Sequence, residues 1–295
     1  MSRPALEGRT LGYLALGVAI LSFSAGSTLV KLSHTPGVAV AFWRMALCSV
    51  IWVVILRVSE HRWLRWDDIR VAIWPGIAFG LNITFFFTGV TKTTVASAEF
   101  TGALTPLLVV PLGAVIFKER MRLGALVFGL ISLAGLALVL FNAPATGEFS
   151  WAGVAWIGAA TSLWATYLLT SRSLRQGRSV AAIMAAITPI ATVVILPLGL
   201  FVFPGSLTQI TWRSVIFIVI LSALTGTVAH GLMVFAQTHV PIGVISMTQV
   251  SQPALAVLWS ILFLGSTVVG IQVVGMILVI LGVAMVTLQS RRRTS

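Results

Sequence analysis

Long apolar segments divide the sequence and restrict its fold more than any other feature. Each lasts about 20 residues, the length an α-helix needs to cross a bilayer, whereas the strands of a β-barrel are short and alternating. Only 9% of the 295 residues are charged, against about a quarter in a soluble domain. We therefore predict an all-α integral membrane protein without a separate soluble domain. The ten expected spans lie at about residues 11–30, 36–57, 69–90, 94–117, 123–141, 151–171, 180–203, 212–236, 242–264 and 267–289.

Basic residues at the span ends predict the orientation of the chain. Cytoplasmic connections of membrane proteins carry an excess of Lys and Arg. With a cytoplasmic N-terminus, 15 of the 19 basic residues face the cytoplasm, and only Lys31, Lys92 and Arg213 face outward. Both termini are therefore expected in the cytoplasm. The same placement accounts for the net charge of +12, so we expect the bilayer and no nucleic acid as a partner.

Two apolar stretches about half the chain apart share one design. Thr-Gly-Ala-Leu-Thr-Pro ends at Pro106 in the first, and Thr-Gln-Val-Ser-Gln-Pro ends at Pro253 in the second. A repeat of this period, with a proline inside an apolar helix in each copy, is typical of duplicated transporters. Glycines follow each proline and are expected to let helices pack closely. They are Gly129 and Gly135 in the first copy and Gly275 and Gly282 in the second.

We predict two five-helix repeats, residues 1–146 and 147–295. Because five is odd, the second repeat enters the membrane with opposite polarity. The charged turn at residues 118–120 is then cytoplasmic, and its uncharged counterpart at 265–267 faces outward. Inverted repeats of this kind enclose one central site that opens alternately to each side. Since one chain supplies both repeats, we expect a functional monomer.

Three groups of residues carry a family resemblance. They are Phe42-Trp43-Arg44, Pro106 with Lys118-Glu119-Arg120, and Leu163-Trp164-Ala165 with Tyr167. With these motifs the sequence resembles the EamA-type transporters of the drug/metabolite transporter superfamily over nearly its whole length, which implies a multi-pass protein of the bacterial inner membrane. Within the family it is similar to exporters of aromatic and other neutral amino acids, which also expel methyl viologen. One departure is Ser266, where the family usually places a Glu.

The two prolines create candidate hinges. Pro106 removes the hydrogen bond to the carbonyl of Gly102, and Pro253 removes the one to Gln249. In lipid each freed carbonyl needs a partner from another helix, a hydroxyl, water or substrate. The kinks are either hinges and substrate contacts near the midplane or tolerated packing kinks. Polar residues around them are Thr101, Thr105, Thr248, Ser251 and Gln252.

Three ionisable residues lie within spans. Glu99 is the only acidic one, and it either serves a substrate ammonium or a proton, or is solvated near the end of its span. Arg44 either pairs with a residue such as Glu99 or anchors a substrate carboxylate. His230 is either a hydrogen-bonded structural residue or a proton carrier.

Aromatic and polar side chains suggest a cavity for an amphipathic molecule, with a small zwitterion carrying an apolar side chain as the expected cargo. Trp164 and Tyr167 are three residues apart and share a helix face, and Asn82 adds a polar group on another span. Such a mixture suits a ligand site. The predicted substrate-binding residues are Trp43, Asn82, Phe86, Glu99, Thr101, Trp164, Tyr167, His230, Gln249 and Gln252.

Other functional classes fit the sequence less well. Neither Gly-x-Ser-x-Gly nor His-Glu-x-x-His occurs, and no span holds an aspartate, which argues against an intramembrane enzyme. A channel filter needs rings of charges or carbonyls around a symmetric axis, which a single pseudo-two-fold repeat does not suggest. Carriers of sugar phosphates, nucleotides or nucleotide sugars need several cations, and only Arg44 lies mid-span. We expect no cofactor or metal, and the few titratable groups favour downhill export or exchange over proton antiport.

Overall fold

The chain forms helices joined by short connections in the part that the computed structural model describes, which is residues 3–105, 107–108, 123–143, 148–171, 178–239, 249 and 251–291. No β-strand occurs among these residues. In the first half the α-helices are α1 (Arg3–Ser24), α2 (Gly26–Leu32), α3 (Gly37–Glu60), α4 (Trp66–Val90), α5 (Val95–Gly102) and α6 (Leu123–Phe141). In the second half they are α7 (Trp151–Ser171), α8 (Val180–Pro197), α9 (Trp212–Ala223), α10 (Ala229–His239), α11 (Gln252–Leu264) and α12 (Gly270–Arg291).

Several of these helices are long and apolar enough to cross a membrane, as the sequence predicts. In the described part of the chain, five segments meet both criteria. The all-α, multi-pass character is thereby confirmed, while the count of ten spans and the orientation of the termini stay predictions. The five segments are Thr10–Leu32, Gly37–Glu60, Trp66–Val90, Val180–Val202 and Trp212–Met233.

The first predicted span is divided, which the sequence analysis did not foresee. A turn at Ala25 separates α1 from α2. Ser24 donates its hydroxyl to the carbonyl of Leu21 at 2.9 Å and accepts a hydrogen bond from Trp259 Nε1 at 2.9 Å. Side-chain hydroxyls that bond to the backbone compete with the helical ladder and bend it, and Gly26 adds backbone freedom at the same point.

Two helices contain a wide, π-helical turn. Leu198–Val202 continues α8, and Leu224–Val228 joins α9 to α10. In the second turn the hydroxyl of Thr227 donates to the carbonyl of Ser222 at 2.9 Å. Such turns are rare and are frequent at functional sites.

The helices form two compact units, and each draws on both halves of the sequence. The first unit comprises residues 1–28, 94–149 and 228–295, and the second comprises 29–93 and 150–227. The proposed repeats, 1–146 and 147–295, are a division of the sequence and not of these units. That boundary stays a prediction.

In the first unit, α6 and α12 pack tightly in antiparallel directions. A Cβ atom at Gly275 would lie 2.6 Å from the carbonyl oxygen of Gly135, and one at Gly135 would lie 2.7 Å from that of Gly275. Toward the other end of the pair, Gly282 lies against the carbonyl of Phe128. As positions advance along α6, their partners recede along α12, so the helices are antiparallel. The predicted role of these glycines in close packing is confirmed.

The same unit contains a second antiparallel pair, α1 with α10. The ring of Phe23 meets that of His230 edge to face at 4.9 Å, and Leu16 packs in a buried cluster with Met233 and Ala236. α5 packs against α11, and α11 also packs against α1.

In the second unit, α4 packs antiparallel to α7, and α3 to α8. Gly89 lies against Gly153 and Ile157 at one end of the first pair, and Phe79 lies against Tyr167 toward the other. In the second pair, the Ser49 and Thr192 hydroxyls lie 3.3 Å apart. The glycines of α4 also serve packing, because a Cβ at Gly80 would lie 2.9 Å from Cα of Ala191 on α8.

A glycine-to-alanine pair tests the contact between α6 and α12. Gly275→Ala places a methyl group against the carbonyl of Gly135, whereas Gly158→Ala on α7 points into open space. We expect Gly275→Ala to lower the free energy of unfolding by about 1–3 kcal/mol, the usual cost of overpacking. Thermal unfolding in detergent measures the difference. Equal stability of the two variants would mean that the helices are not in close contact.

Candidate substrate-binding residues

The candidate residues divide between the two units. The second unit holds Trp43, Arg44, Asn82, Phe86, Trp164 and Tyr167, and the first holds Glu99, Thr101, Gly102, His230, Gln249, Gln252 and Pro253. Pro106 lies outside the described residues. Because Arg44 and Glu99 belong to different units, the predicted pairing between them stays a prediction.

Arg44 is deeply buried on α3. Its side chain is only 4% exposed, and Nη2 donates to the hydroxyl of Thr225 at 2.9 Å. The guanidinium carbon lies 5.3 Å from the ring centre of Phe87, which gives a cation–π contact. Its Nε atom is buried and has no hydrogen-bond partner among the described residues. Sequence reasoning had not singled out Thr225 or Phe87 as partners.

The π-helical turn at Leu224–Val228 packs against α3 beside Arg44. Gly226 passes so close to α3 that a Cβ there would lie 2.5 Å from Sγ of Cys48. Its carbonyl accepts a hydrogen bond from Trp52 Nε1 at 3.0 Å. A larger residue in place of Gly226 would push the turn away from Arg44.

Asn82 and the predicted aromatic face lie between α4 and α7. Asn82 is buried, and its Nδ2 donates to the carbonyl of Ala160 at 2.8 Å. The rings of Trp164 and Tyr167 stack at 4.9 Å, and Phe79 lies 5.3 Å from the Tyr167 ring. The structure thus brings Asn82, Trp164 and Tyr167 to one helix pair, and adds Phe79, which the sequence analysis did not name.

Trp43 and Phe86 are less enclosed. Trp43 is 43% exposed, and its Nε1 donates to the carbonyl of Leu207 at 3.0 Å. Phe86 is half-buried and lies 6.2 Å from the ring of Phe87. The exposed face of Trp43 on a spanning helix is typical of a lipid-facing ring.

Glu99 is buried on α5 in the first unit. It is 7% exposed and accepts a hydrogen bond from the hydroxyl of Ser27 on α2. This placement disfavours the alternative that Glu99 is simply solvated near the end of its span. Thr101 is also buried, but its hydroxyl donates to the carbonyl of Ser97 on its own helix at 2.6 Å.

Both proline segments are interrupted helices. α5 ends at Gly102, and the carbonyl of Gly102 accepts a hydrogen bond from the hydroxyl of Thr105 at 2.8 Å. A hydroxyl is one of the partners that the sequence analysis expected for this carbonyl.

The prediction that Pro253 lies inside a helix and kinks it is wrong. A turn at Ser251 precedes α11, and Pro253 lies in the first turn of that helix, where its missing N–H leaves no bond unmade. Gln252 is half-buried and Gln249 is exposed. Most of the segment before them lies outside the described residues.

His230 is half-buried on α10 and packs edge to face against Phe23 on α1. The contact with Phe23 is compatible with a packing role.

A charged cluster closes one end of the second unit. Arg62 donates to Asp68 and to Glu60, each at 2.7 Å. Glu60 also accepts a hydrogen bond from Ser179, and Arg178 lies 3.5 Å from Asp68. The bonds to Asp68 and Glu60 raise the pKa of the Arg62 guanidinium, and the cluster lines an open groove of about 530 Å³.

A second cluster, of hydroxyl groups and one arginine, lies at the start of α9 in the same unit. The hydroxyl of Thr35 donates to that of Ser214 at 2.7 Å, and Ser214 exchanges hydrogen bonds with Thr211 as a capping box. Arg213 donates to the carbonyl of Leu32 at 2.8 Å. This cluster holds α9 to the end of α2 with hydroxyl and carbonyl groups.

This chain is similar to a solved crystal structure and to two proteins named as exporters. A solved crystal structure of a protein covers 100% of both chains at a TM-score of 0.66 and 18% identity, and it shows the same fold. The threonine/homoserine exporter RhtA of Salmonella typhimurium (strain LT2) is 24% identical over 288 residues, or 96% of this chain and 93% of RhtA. RhtA of Escherichia coli (strain K12) is 24% identical over 273 residues, covering 90% and 88%.

A family match covers both halves of the chain. Residues 10–141 and residues 151–288 each match the EamA-like transporter family. The two matched segments correspond to the two halves in which the sequence repeats its design. Since they account for most of the chain, this protein belongs to the EamA-like transporter family.

Proposed function

We propose that this protein exports neutral amino acids, aromatic ones included, across the bacterial inner membrane by alternating access. The observation that carries the proposal is the family match over both halves. Two relatives named as threonine/homoserine exporters, aligned over at least 88% of their length, support an amino acid as cargo. Cationic compounds such as methyl viologen are a further proposed cargo.

The antiparallel helix pairs support the proposed inversion of the repeats. α6 and α12 are counterparts in the two repeats, and so are α3 and α8. Each of these counterpart pairs runs antiparallel, as a two-fold axis in the membrane plane requires. The repeats at 1–146 and 147–295 and the cytoplasmic location of both termini belong to this proposal, as does a functional monomer.

The interrupted helices support a substrate site near the prolines. Helix ends leave backbone N–H and carbonyl groups without intrahelical partners. In transporters such discontinuous helices offer these groups to the cargo near the midplane. α5 ends at Gly102 and α11 begins at Gln252, each next to one of the two prolines. We assign the hinges to Pro106, Pro253 and Gly102.

The buried Glu99 is the proposed contact for the substrate ammonium or for a coupled proton. Its only partner given by the described structure is the Ser27 hydroxyl. A carboxylate inside a bilayer costs about 3 kcal/mol or more unless it finds such a partner. The other proposed contacts are Trp43, Asn82, Phe86, Thr101, Trp164, Tyr167, His230, Gln249 and Gln252.

A transport assay with purified protein in liposomes tests the function. Radiolabelled threonine, homoserine, phenylalanine, tryptophan and alanine are offered with and without a pH gradient, and methyl viologen is added as a competitor. We expect saturable movement of at least one neutral amino acid that empty liposomes lack. Failure to move any of them, with nucleotide sugars or sugar phosphates moved instead, would refute the proposal.

Replacement of the buried carboxylate tests the role of Glu99. We expect Glu99→Gln to weaken the apparent affinity for the cargo at least about 10-fold, or to abolish its pH dependence, because the amide cannot carry the negative charge. The matched control is Glu148→Gln, which alters an exposed carboxylate in the same unit.

Affinity and pH dependence are measured in the same liposome assay. If Glu99→Gln matches the unmodified protein in both, Glu99 has neither role. A loss in Glu148→Gln of the same size would trace the effect to overall charge rather than to the buried site.

A further inference from the structure

Arg44 is a buried cation without a counter-charge in its own unit. The acidic residues of the second unit are Glu60, Asp67 and Asp68. Glu60 is 16 residues from Arg44 along α3, or about 24 Å at 1.5 Å per residue. Asp68 is separated by a similar length of α4 from Phe87, on which Arg44 lies. No acidic side chain of this unit therefore reaches the guanidinium.

The hydrogen bonds of Arg44 are also incomplete. A guanidinium has five N–H donors in a planar fork. Nη2 is used by Thr225, while Nε is buried without a partner. Buried donors are nearly always paired, and a buried charge that is not neutralised is strongly unfavourable. An anionic oxygen ligand would both neutralise the charge of Arg44 and accept the hydrogen bond that its Nε–H can donate.

The surroundings of Arg44 are built to hold its guanidinium in one orientation. The ring of Phe87 lies against it, and Thr225 fixes Nη2. Gly226 lets the π-helical turn approach, with its Cβ position 3.8 Å from Nε. A planar, oriented guanidinium suits a carboxylate, which accepts two parallel hydrogen bonds.

We propose that Arg44 binds the carboxylate of the exported amino acid, an inference that rests on the proposed function. A single cation matches a group of charge −1, whereas a phosphate monoester would leave an unpaired charge. Arg44 is enclosed in the present conformation, so the cargo reaches it when the turn that carries Thr225 moves. The boundary of the unit falls between Thr227 and Val228, within that turn.

The test compares a carboxylate with its neutral amide in Arg44→Gln. The amino acid that the unmodified protein carries best and its carboxamide compete for uptake into liposomes. We expect Arg44→Gln to weaken the amino acid about 10- to 100-fold, the usual effect of losing a charge-assisted hydrogen bond, and to leave the carboxamide unchanged. Arg44→Lys keeps the charge but loses the fork and should regain part of the affinity.

A matched control and a stability measurement separate binding from structure. Arg57→Gln makes the same change at an exposed position of α3 and should leave both affinities unchanged. The unfolding temperature of Arg44→Gln should equal or exceed that of the unmodified protein, because a buried unpaired charge is removed.

Several results would overturn the inference. The unmodified protein binding both forms equally would do so, as would an equal loss of both in Arg44→Gln. Equal losses of both forms in Arg44→Gln and Glu99→Gln would indicate an ion pair between the two residues instead. If the unmodified protein carries no amino acid, the proposed function fails and this inference fails with it. Amino acid transport that Arg44→Gln leaves intact removes this inference alone.

Discussion

Inside a bilayer a polar group has no water to bond with, so each one in this protein must find its partner within the chain. Many hydroxyls donate to a carbonyl of their own helix, as Thr101 does to Ser97. Others join helices, as Gln272 does by donating to the carbonyl of Val139 at 2.9 Å. The fold is compatible with lipid because these bonds are local or link packed pairs. Among the buried side-chain atoms without a partner in the described part of the chain, four are hydroxyls and the fifth is Nε of Arg44, which belongs to a charged group.

Small residues allow helices from the two halves of the sequence to pack in close pairs. Glycines allow α6 and α12 to approach until backbone carbonyls touch the opposite helix, and Gly89 does the same for α4 and α7. Each unit therefore combines helices from both halves of the sequence. Such mixing means that neither half of the chain could bury its apolar surface by itself in this arrangement.

Much of the fold could be predicted from composition and spacing, because span length is fixed by bilayer thickness. The starts of α6, α7 and α8 agree with the predicted spans. The break at Ala25 and the π-helical turn at Leu224–Val228 could not be predicted. Both depend on hydrogen bonds to other side chains, such as Trp259 to Ser24, that no local pattern reveals.

The candidate site could be predicted only in part. The sequence identifies Glu99 and Arg44 as unusual because they are ionisable residues within spans. It does not indicate that Ser27 and Thr225 are their partners, since hydroxyl residues are common in these helices. The unusual bonding of the Gly102 carbonyl was the easiest feature to predict, because Pro106 has no N–H to donate to it.

The clusters that begin α4 and α9 have different chemistry although they occupy corresponding positions of the proposed repeats. Asp68, with Arg62 and Arg178, is ionic, whereas Ser214, with Thr35 and Thr211, is uncharged. Dissolved salt screens charged pairs near water and leaves neutral hydrogen bonds largely unaffected. Under the proposed inversion of the repeats these two clusters face opposite sides of the membrane, and the ionic one responds more strongly to ionic strength.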